Sequence, residues 1–262
     1  MLTHPTAIVD PSAQLGEDIR VGPYAIIEAG AIIGDGCSIG AHSIIRSGCR
    51  LGQGNIIHPH VVLGGPPQDQ KYQGEDTLLQ IGENNVFREF FTANRGTVQG
   101  GGCTRIGSHN LLMTCSHVAH DCQLGDHIVM ANSVALAGHV VINDHAVLGG
   151  LSAVHQHVRI GESALVGGGA MIAQDLPPYC IAQGDRARLH GLNRIGLRRR
   201  GFSRHCIDQL HQAYRILFLS DLSRSSALTK ITDSHEFTSL ELSKMIEFIR
   251  SSRRGICKAH RS

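Results

Sequence analysis

Tryptophan is absent from the 262 residues, and aromatic residues make up only 4% of them, so a core packed around large rings is excluded. No apolar run approaches the roughly 20 residues that a membrane-spanning helix requires. The start, Met1-Leu2-Thr3-His4-Pro5, lacks the charged and apolar stretches of an export signal, so the expected compartment is the cytoplasm. The eight cysteines, at 37, 49, 103, 115, 122, 180, 206 and 257, form no C-x-x-C pair and no finger-like Cys/His spacing. Reduced, partly buried thiols are therefore expected. Glycine is abundant, at 31 residues, but has no Gly-X-Y period, which excludes collagen. The formal net charge of +2 gives no reason to invoke nucleic acid. The charge is uneven, however: Arg186, Arg188, Arg194, Arg198, Arg199, Arg200 and Arg204 crowd one stretch.

What is present is a period of six. Every sixth residue from Val9 is aliphatic: Val9, Leu15, Val21, Ile27, Ile33, Ile39, Ile45, Leu51, Ile57, Leu63. The pattern returns at Ile106, Leu112, Val118, Leu124, Met130, Leu136, Ile142, Leu148, Val154, Ile160, Val166 and Ile172, with Ile81 and Phe87 between the two runs. A period of six fits neither a helix nor an isolated strand. It fits a solenoid in which each hexad makes one short strand and one turn, and three hexads close a triangular coil. The aliphatic residues point inward and stack coil on coil. Glycine and small polar residues are expected at the corners, where positive φ is needed.

Two segments break the register, 64–80 and 94–105, and must loop out. Their amide and charged groups, held among glycines and prolines, suit binding loops on a rigid scaffold. After Ile172 the hexads stop, and Pro177-Pro178 is expected to end the solenoid. Helical spacing follows: Ser203 is a candidate N-cap for a helix carrying Ile207, Leu210, Tyr214, Leu217 and Phe218. Phe237, Leu240, Met245, Phe248 and Ile249 suggest another, and the basic end from Arg253 is expected to fray. The expected division is a β-helix over 1–185 and a helical domain over 186–262.

An 18-residue coil places Val118, Leu136 and Val154 on one face, together with His120, His139, His155 and Gln156, with His117 at the edge. Asp121, His139 and His157 then form one ladder, and His109, His127 and His145 form another, read as surface decoration. Imidazoles beside a carboxylate suit general-base catalysis, because imidazole titrates near ~6.5 and a carboxylate fixes its tautomer. Three histidines could equally hold zinc.

The segments GGPPQDQKYQGE (64–75), NRGTVQGGGCTRIG (94–107), SHNLLMTCSHVAHDC (108–122), ANSVALAGHV (131–140), GGLSAVHQ (149–156), AQDLPPYCIAQGDRA (173–187) and GLNRIGLRRRGFSR (191–204) carry a resemblance over nearly the whole chain. The chain resembles the UDP-N-acetylglucosamine O-acyltransferases, which open lipid A biosynthesis. The resemblance implies an all-β left-handed parallel β-helix with a C-terminal α-helical domain, assembled as a homotrimer with active sites between subunits. It implies no cofactor and no bound metal. It also implies transfer of a 3-hydroxyacyl chain from acyl carrier protein to the sugar 3-hydroxyl.

By the same resemblance, His120 is the general base, Asp121 orients it and the Gly138 N–H stabilises the oxyanion. His117, His139, His155 and Gln156 line the cleft. Asp69 and Lys71 reach the sugar from a neighbouring subunit, and Asn193, Arg199 and Arg200 hold the UDP end. Gly168 occupies the position that gauges acyl length; the other reading of it is an ordinary corner glycine. Ile195, Arg186 and Asn94 depart from the family pattern, standing where a glutamate and two histidines occur in other members. Three alternatives make different demands: N-acylation of a 3-amino UDP-sugar, a zinc enzyme of the γ-carbonic anhydrase kind, and a non-catalytic β-helix scaffold.

Overall fold

The computed structural model describes residues 2–234 and 238–260. Among these residues, short strands fall into three sheets of eleven, nine and eight strands that form the walls of a prism. Each hexad becomes a two-residue strand whose second residue points inward, as in Ile26–Ile27, where Ile27 is buried and Ile26 half-exposed. Successive coils pair in parallel register, so Val118 lies opposite Leu136 and Leu136 opposite Val154. The inward column is close to fully buried. Burial of each such side chain stabilises the fold by about 1.5–3 kcal/mol, which makes the stacked aliphatics the principal cohesive force.

Both insertions loop out as expected. Ile57 pairs with Phe87 and Phe87 with Leu112, so these coils are thirty and twenty-five residues long while the strand register is kept. A buried asparagine ladder steadies this stretch. The Asn85 side-chain amide donates to Asn55 Oδ1 at 3.0 Å, and Asn85 Oδ1 accepts the Asn110 N–H at 2.9 Å.

The corners bear out the expectation in part: Gly30, Gly36, Gly48, Gly54 and Gly169 take positive φ, as do Asp18, Asn84, Ser133 and Ser163. Positive φ is adopted at many other corners by large residues, including Tyr24, His42, His60, Phe90 and Leu151. The glycines that follow the inward aliphatics serve close approach instead. A Cβ on Gly34 would lie 2.7 Å from the backbone of the next coil, at Gly52 and Gln53. Tyr24, His42, His60 and Phe90 stack in one exposed column with centroids about 5 Å apart, a ladder the hexad pattern did not disclose.

The solenoid does not end at Pro177-Pro178. Cys180–Gln183 extends the eleven-stranded sheet in parallel, and Arg188–Leu192 turns back on it antiparallel. Among the described residues four α-helices follow: α1 (Arg194–Arg199), α2 (Arg204–Tyr214), α3 (Arg224–Thr232) and α4 (Leu240–Arg250). Ser203 caps α2 by accepting the Cys206 N–H, and α2 runs on into a π-helical turn, Arg215–Leu219. Ile207, Leu210, Tyr214, Leu217 and Phe218 are all buried, as their spacing predicts. In α4, Met245, Phe248 and Ile249 are buried, whereas Leu240 is exposed; Phe237 lies outside the described residues. The chain end is not frayed through His260. Ile256 bridges to Asp175, Ala259 bridges to Leu189, and Cys257 is buried. Seven of the eight cysteines are buried free thiols, with Cys115 exposed.

Candidate active site

His117 opens the short strand His117–Val118, and the chain turns the corner at Asp121 with φ +62°. That turn puts His120 and Asp121 side by side under the 94–105 insertion. Both residues are at least nine-tenths buried. His120 Nδ1 lies 2.8 Å from Asp121 Oδ2. Asp121 Oδ1 accepts the Thr97 N–H at 2.7 Å, and Oδ2 accepts the Thr97 hydroxyl at 2.7 Å. The Asp121 N–H donates to Thr104 Oγ1 at 2.7 Å. Burial alone would raise the Asp121 carboxyl, but the hydrogen bonds from His120 and Thr97 outweigh it and hold the group below its ordinary value. An ionised carboxylate only accepts, so the proton sits on His120 Nδ1 and the lone pair on Nε2.

The His120 ring is close against Gly138: a Cβ there would stand 2.7 Å from His120 Nε2. His117, His120, Gly138 and Gln156 line one open groove of about 420 Å³, together with Gln68, Ala135 and Ala153. The outward column His117, Ala135, Ala153 and Met171 follows from in-register pairing, and its two alanines make a smooth apolar floor. His117 Nδ1 is 2.7 Å from Thr92 Oγ1. Burial, with the charge of His120 adding to it, lowers the His117 imidazole below its usual value. His139 stands edge-on to His120 at 5.3 Å, with Nε2 3.6 Å from Asp121 Oδ2. Burial lowers His139 as well, against the pull of Asp121.

Other residues singled out by sequence lie elsewhere. His155 is exposed and meets Arg254 Nη2 at 2.7 Å rather than lining the groove. Asp69 accepts the Lys71 N–H at 3.0 Å, and its charge acts on His139. Its neighbour Gln68 lines the groove of the same chain, while Asp69 and Lys71 do not. Asn193 caps α1 and donates to the Ser163 carbonyl at 3.1 Å. Arg200 pairs with Glu162 at 3.3 Å, contacts Ser163 Oγ and lies over the Phe202 ring, while Arg199 is exposed. Asn193 and Arg200 sit at the Ser163 corner, which continues the column of His109, His127 and His145 rather than that of Asp121. Gly168 is not a corner glycine of necessity. The positive φ belongs to Gly169, and a Cβ on Gly168 would meet only Gly150 O, at 3.4 Å.

Sequence reasoning missed Thr97, Thr104, Gly100 and Gln68. Their one signal was membership of, or adjacency to, the insertions. The ligand atoms of His120, Asp121 and His139 lie within 4.8 Å of one another, which makes them the one metal-compatible group found among the described residues. The set holds two imidazoles rather than three, and its carboxylate is already saturated by Thr97 and His120.

A three-sheet prism of hexads with a buried His–Asp pair at one corner defines the class of hexapeptide-repeat transferases. A family model described as "Bacterial transferase hexapeptide (six repeats)" matches residues 30–65, and "Udp N-acetylglucosamine O-acyltransferase; Domain 2" matches residues 175–257. The acyl-[acyl-carrier-protein]–UDP-N-acetylglucosamine O-acyltransferase of Trichlorobacter lovleyi is 57% identical over 98% of this chain and 100% of its own. That of Syntrophobacter fumaroxidans is 46% identical over the same shares. Among solved structures, LpxA from Acinetobacter baumannii superposes with a TM-score of 0.96 at 42% identity, covering 98% of this chain and 100% of its own. The chain belongs to the UDP-N-acetylglucosamine O-acyltransferase family, and its solenoid is the left-handed parallel β-helix expected from the sequence.

Proposed function

We propose that the protein transfers a 3-hydroxyacyl chain from the thioester of acyl carrier protein to the 3-hydroxyl of UDP-N-acetylglucosamine, the first step of lipid A biosynthesis. The observation that carries the mechanism is the buried Asp121–His120 pair, with Nε2 open to an alanine-floored groove. His120 Nε2 removes the sugar hydroxyl proton as the oxygen attacks the thioester carbon. Asp121 supports the imidazolium that forms. The Gly138 N–H donates to the oxyanion. Collapse of the tetrahedral intermediate breaks the C–S bond, and His120 returns its proton to the departing carrier thiol. His117, His139 and Gln156 border the reacting groups. Asp69 and Lys71 hold the sugar from the loop above, while His155, paired with Arg254 outside the groove, takes no part.

Asn193, Arg199 and Arg200 are assigned to the UDP end. Asn193 and Arg200 stand at a different corner of the same chain, so the reading requires a second subunit to complete each site. A homotrimer supplies it. The outward residues Val86, Leu111, Val129, Val147 and Leu165 of the eleven-stranded sheet form an aliphatic column suited to subunit packing. Guanidinium forks suit the diphosphate. Gly168, free of any turn requirement, leaves room for a long acyl chain. No helix among the described residues is long and apolar enough to cross a membrane, and the cytoplasm is the proposed compartment.

The test supplies UDP-N-acetylglucosamine and a panel of 3-hydroxyacyl carrier proteins, with products read by mass spectrometry. A UDP-3-O-acyl sugar is expected. Failure with every donor, followed by success with a 3-amino sugar, would replace the acceptor in this reading.

A further inference from the structure

The carboxylate that orients His120 has two histidines to choose between. Asp121 Oδ2 is 2.8 Å from His120 Nδ1 and 3.6 Å from His139 Nε2. Nothing in the solenoid itself decides between them, since His139 occupies the corner equivalent to Asp121 one coil on. The deciding contacts come from the 94–105 insertion. Thr97 grips both carboxylate oxygens, Oδ1 with its N–H and Oδ2 with its hydroxyl, each at 2.7 Å. The direction of that hydroxyl is itself fixed. Thr97 Oγ1 accepts the Gly100 N–H at 3.0 Å, so its own proton is left to point at Asp121. Gly100 is pressed so closely on the carboxylate that a Cβ would fall 2.0 Å from Asp121 Cγ.

We propose that Thr97 is a positioning residue for the transfer reaction: its hydroxyl and N–H lock the Asp121 carboxylate into the one rotation that serves His120 rather than His139. This rests on the general-base reading of His120. Thr97 does not border the groove, so its influence on the reacting atoms runs through Asp121 alone. With the hydroxyl lost, Oδ2 keeps only histidine donors, and the carboxylate can turn toward His139. His120 then loses the fixed tautomer and ring orientation that present Nε2 to the sugar hydroxyl. Misplacement of a catalytic group on this scale lowers turnover by about tenfold to a hundredfold.

The experiment compares steady-state kinetics of Thr97→Val, Thr97→Ser and His120→Ala with the parent enzyme, using UDP-N-acetylglucosamine and a 3-hydroxyacyl carrier protein. Thr97→Val keeps the shape and the N–H but removes the hydroxyl. It is expected to lower kcat about tenfold or more while KM for both substrates stays within about twofold. Thr97→Ser restores the hydroxyl and is expected to recover most of that loss. If Thr97→Val does not fold, Thr97→Ala carries the same comparison. A kcat within about twofold of the parent in the folded variant, a parallel rise in both KM values, or no recovery with serine would each overturn the proposal. The control separates the two levels. An active His120→Ala removes the base reading itself, whereas an inactive His120→Ala beside an unaffected Thr97→Val removes only the role given to Thr97.

Discussion

Two histidine columns climb this solenoid, built by the same 18-residue repetition and yet different in what they can do. His109, His127 and His145 stack nearly parallel, with centroids 5.0 and 4.7 Å apart. His139 and His157 stack just as closely, at 4.5 Å. The second column alone has a carboxylate at its foot, Asp121, with His120 set edge-on beside it and an insertion folded over the pair. Repetition supplies stacked imidazoles at no chemical advantage. Reactivity comes where the repeat is interrupted, because only a loop from outside the coil brings enough donors to keep a buried carboxylate ionised and oriented.

The comparison can be broken at several levels. The largest effect falls on the frame that both columns share. Leu136 is 1% exposed inside the prism, and Leu136→Asp is expected to cost about 4 kcal/mol or more and abolish cooperative melting. A soluble variant with a sharp thermal transition would show that the stacked aliphatics are not the main cohesive term. Next is the contrast between the columns. His120→Ala should lower turnover about 10³-fold, within the range for loss of a general base, with the melting temperature nearly unchanged. His127→Ala should leave turnover within about twofold and stability within about 0.5 kcal/mol. Equal effects in the two variants would erase the distinction.

Smaller effects sharpen the reading of the coil. Gly34→Ala forces a methyl group to 2.7 Å from the next coil's backbone and is expected to destabilise by about 1–3 kcal/mol. A melting temperature equal to the parent's would refute the close-approach role. The mildest effect concerns pH. His117 and His139 are both held below the ordinary imidazole value, chiefly by burial. The unfolded chain therefore takes up these protons first. Their contribution is fully present above about pH 6.5 and is lost as the pH falls. The melting temperature should decline as the pH falls below about 6.5, and His117→Gln should flatten that decline. An unchanged slope in the variant would assign the acid sensitivity to other groups.

Much of this was legible in one dimension. The hexads located the inward residues, the broken register located both insertions, and Ser203 marked the start of α2. The adjacency of His120 and Asp121 in the chain made their pairing readable as well. Thr97 was not readable, because 24 residues separate it from Asp121 and only the path of the loop brings them together. The glycine rule held at corners such as Gly30 and Gly36 but not at Gly34 and its equivalents: spacing shows where a small residue recurs but not whether φ or a neighbouring backbone requires it. The chain end was misjudged because a basic composition suggests solvent, while its backbone in fact bridges to Asp175 and Leu189.

By itself, then, the sequence determined the period, the inward column and the pairing of neighbours that a fixed repeat enforces, since hydrophobic burial at every sixth residue admits one solution. Tertiary structure alone decided which histidine the buried carboxylate serves and which residues of one chain stay apart. Those outcomes depend on hydrogen bonds and packing between segments whose separation in sequence carries no period to reveal them.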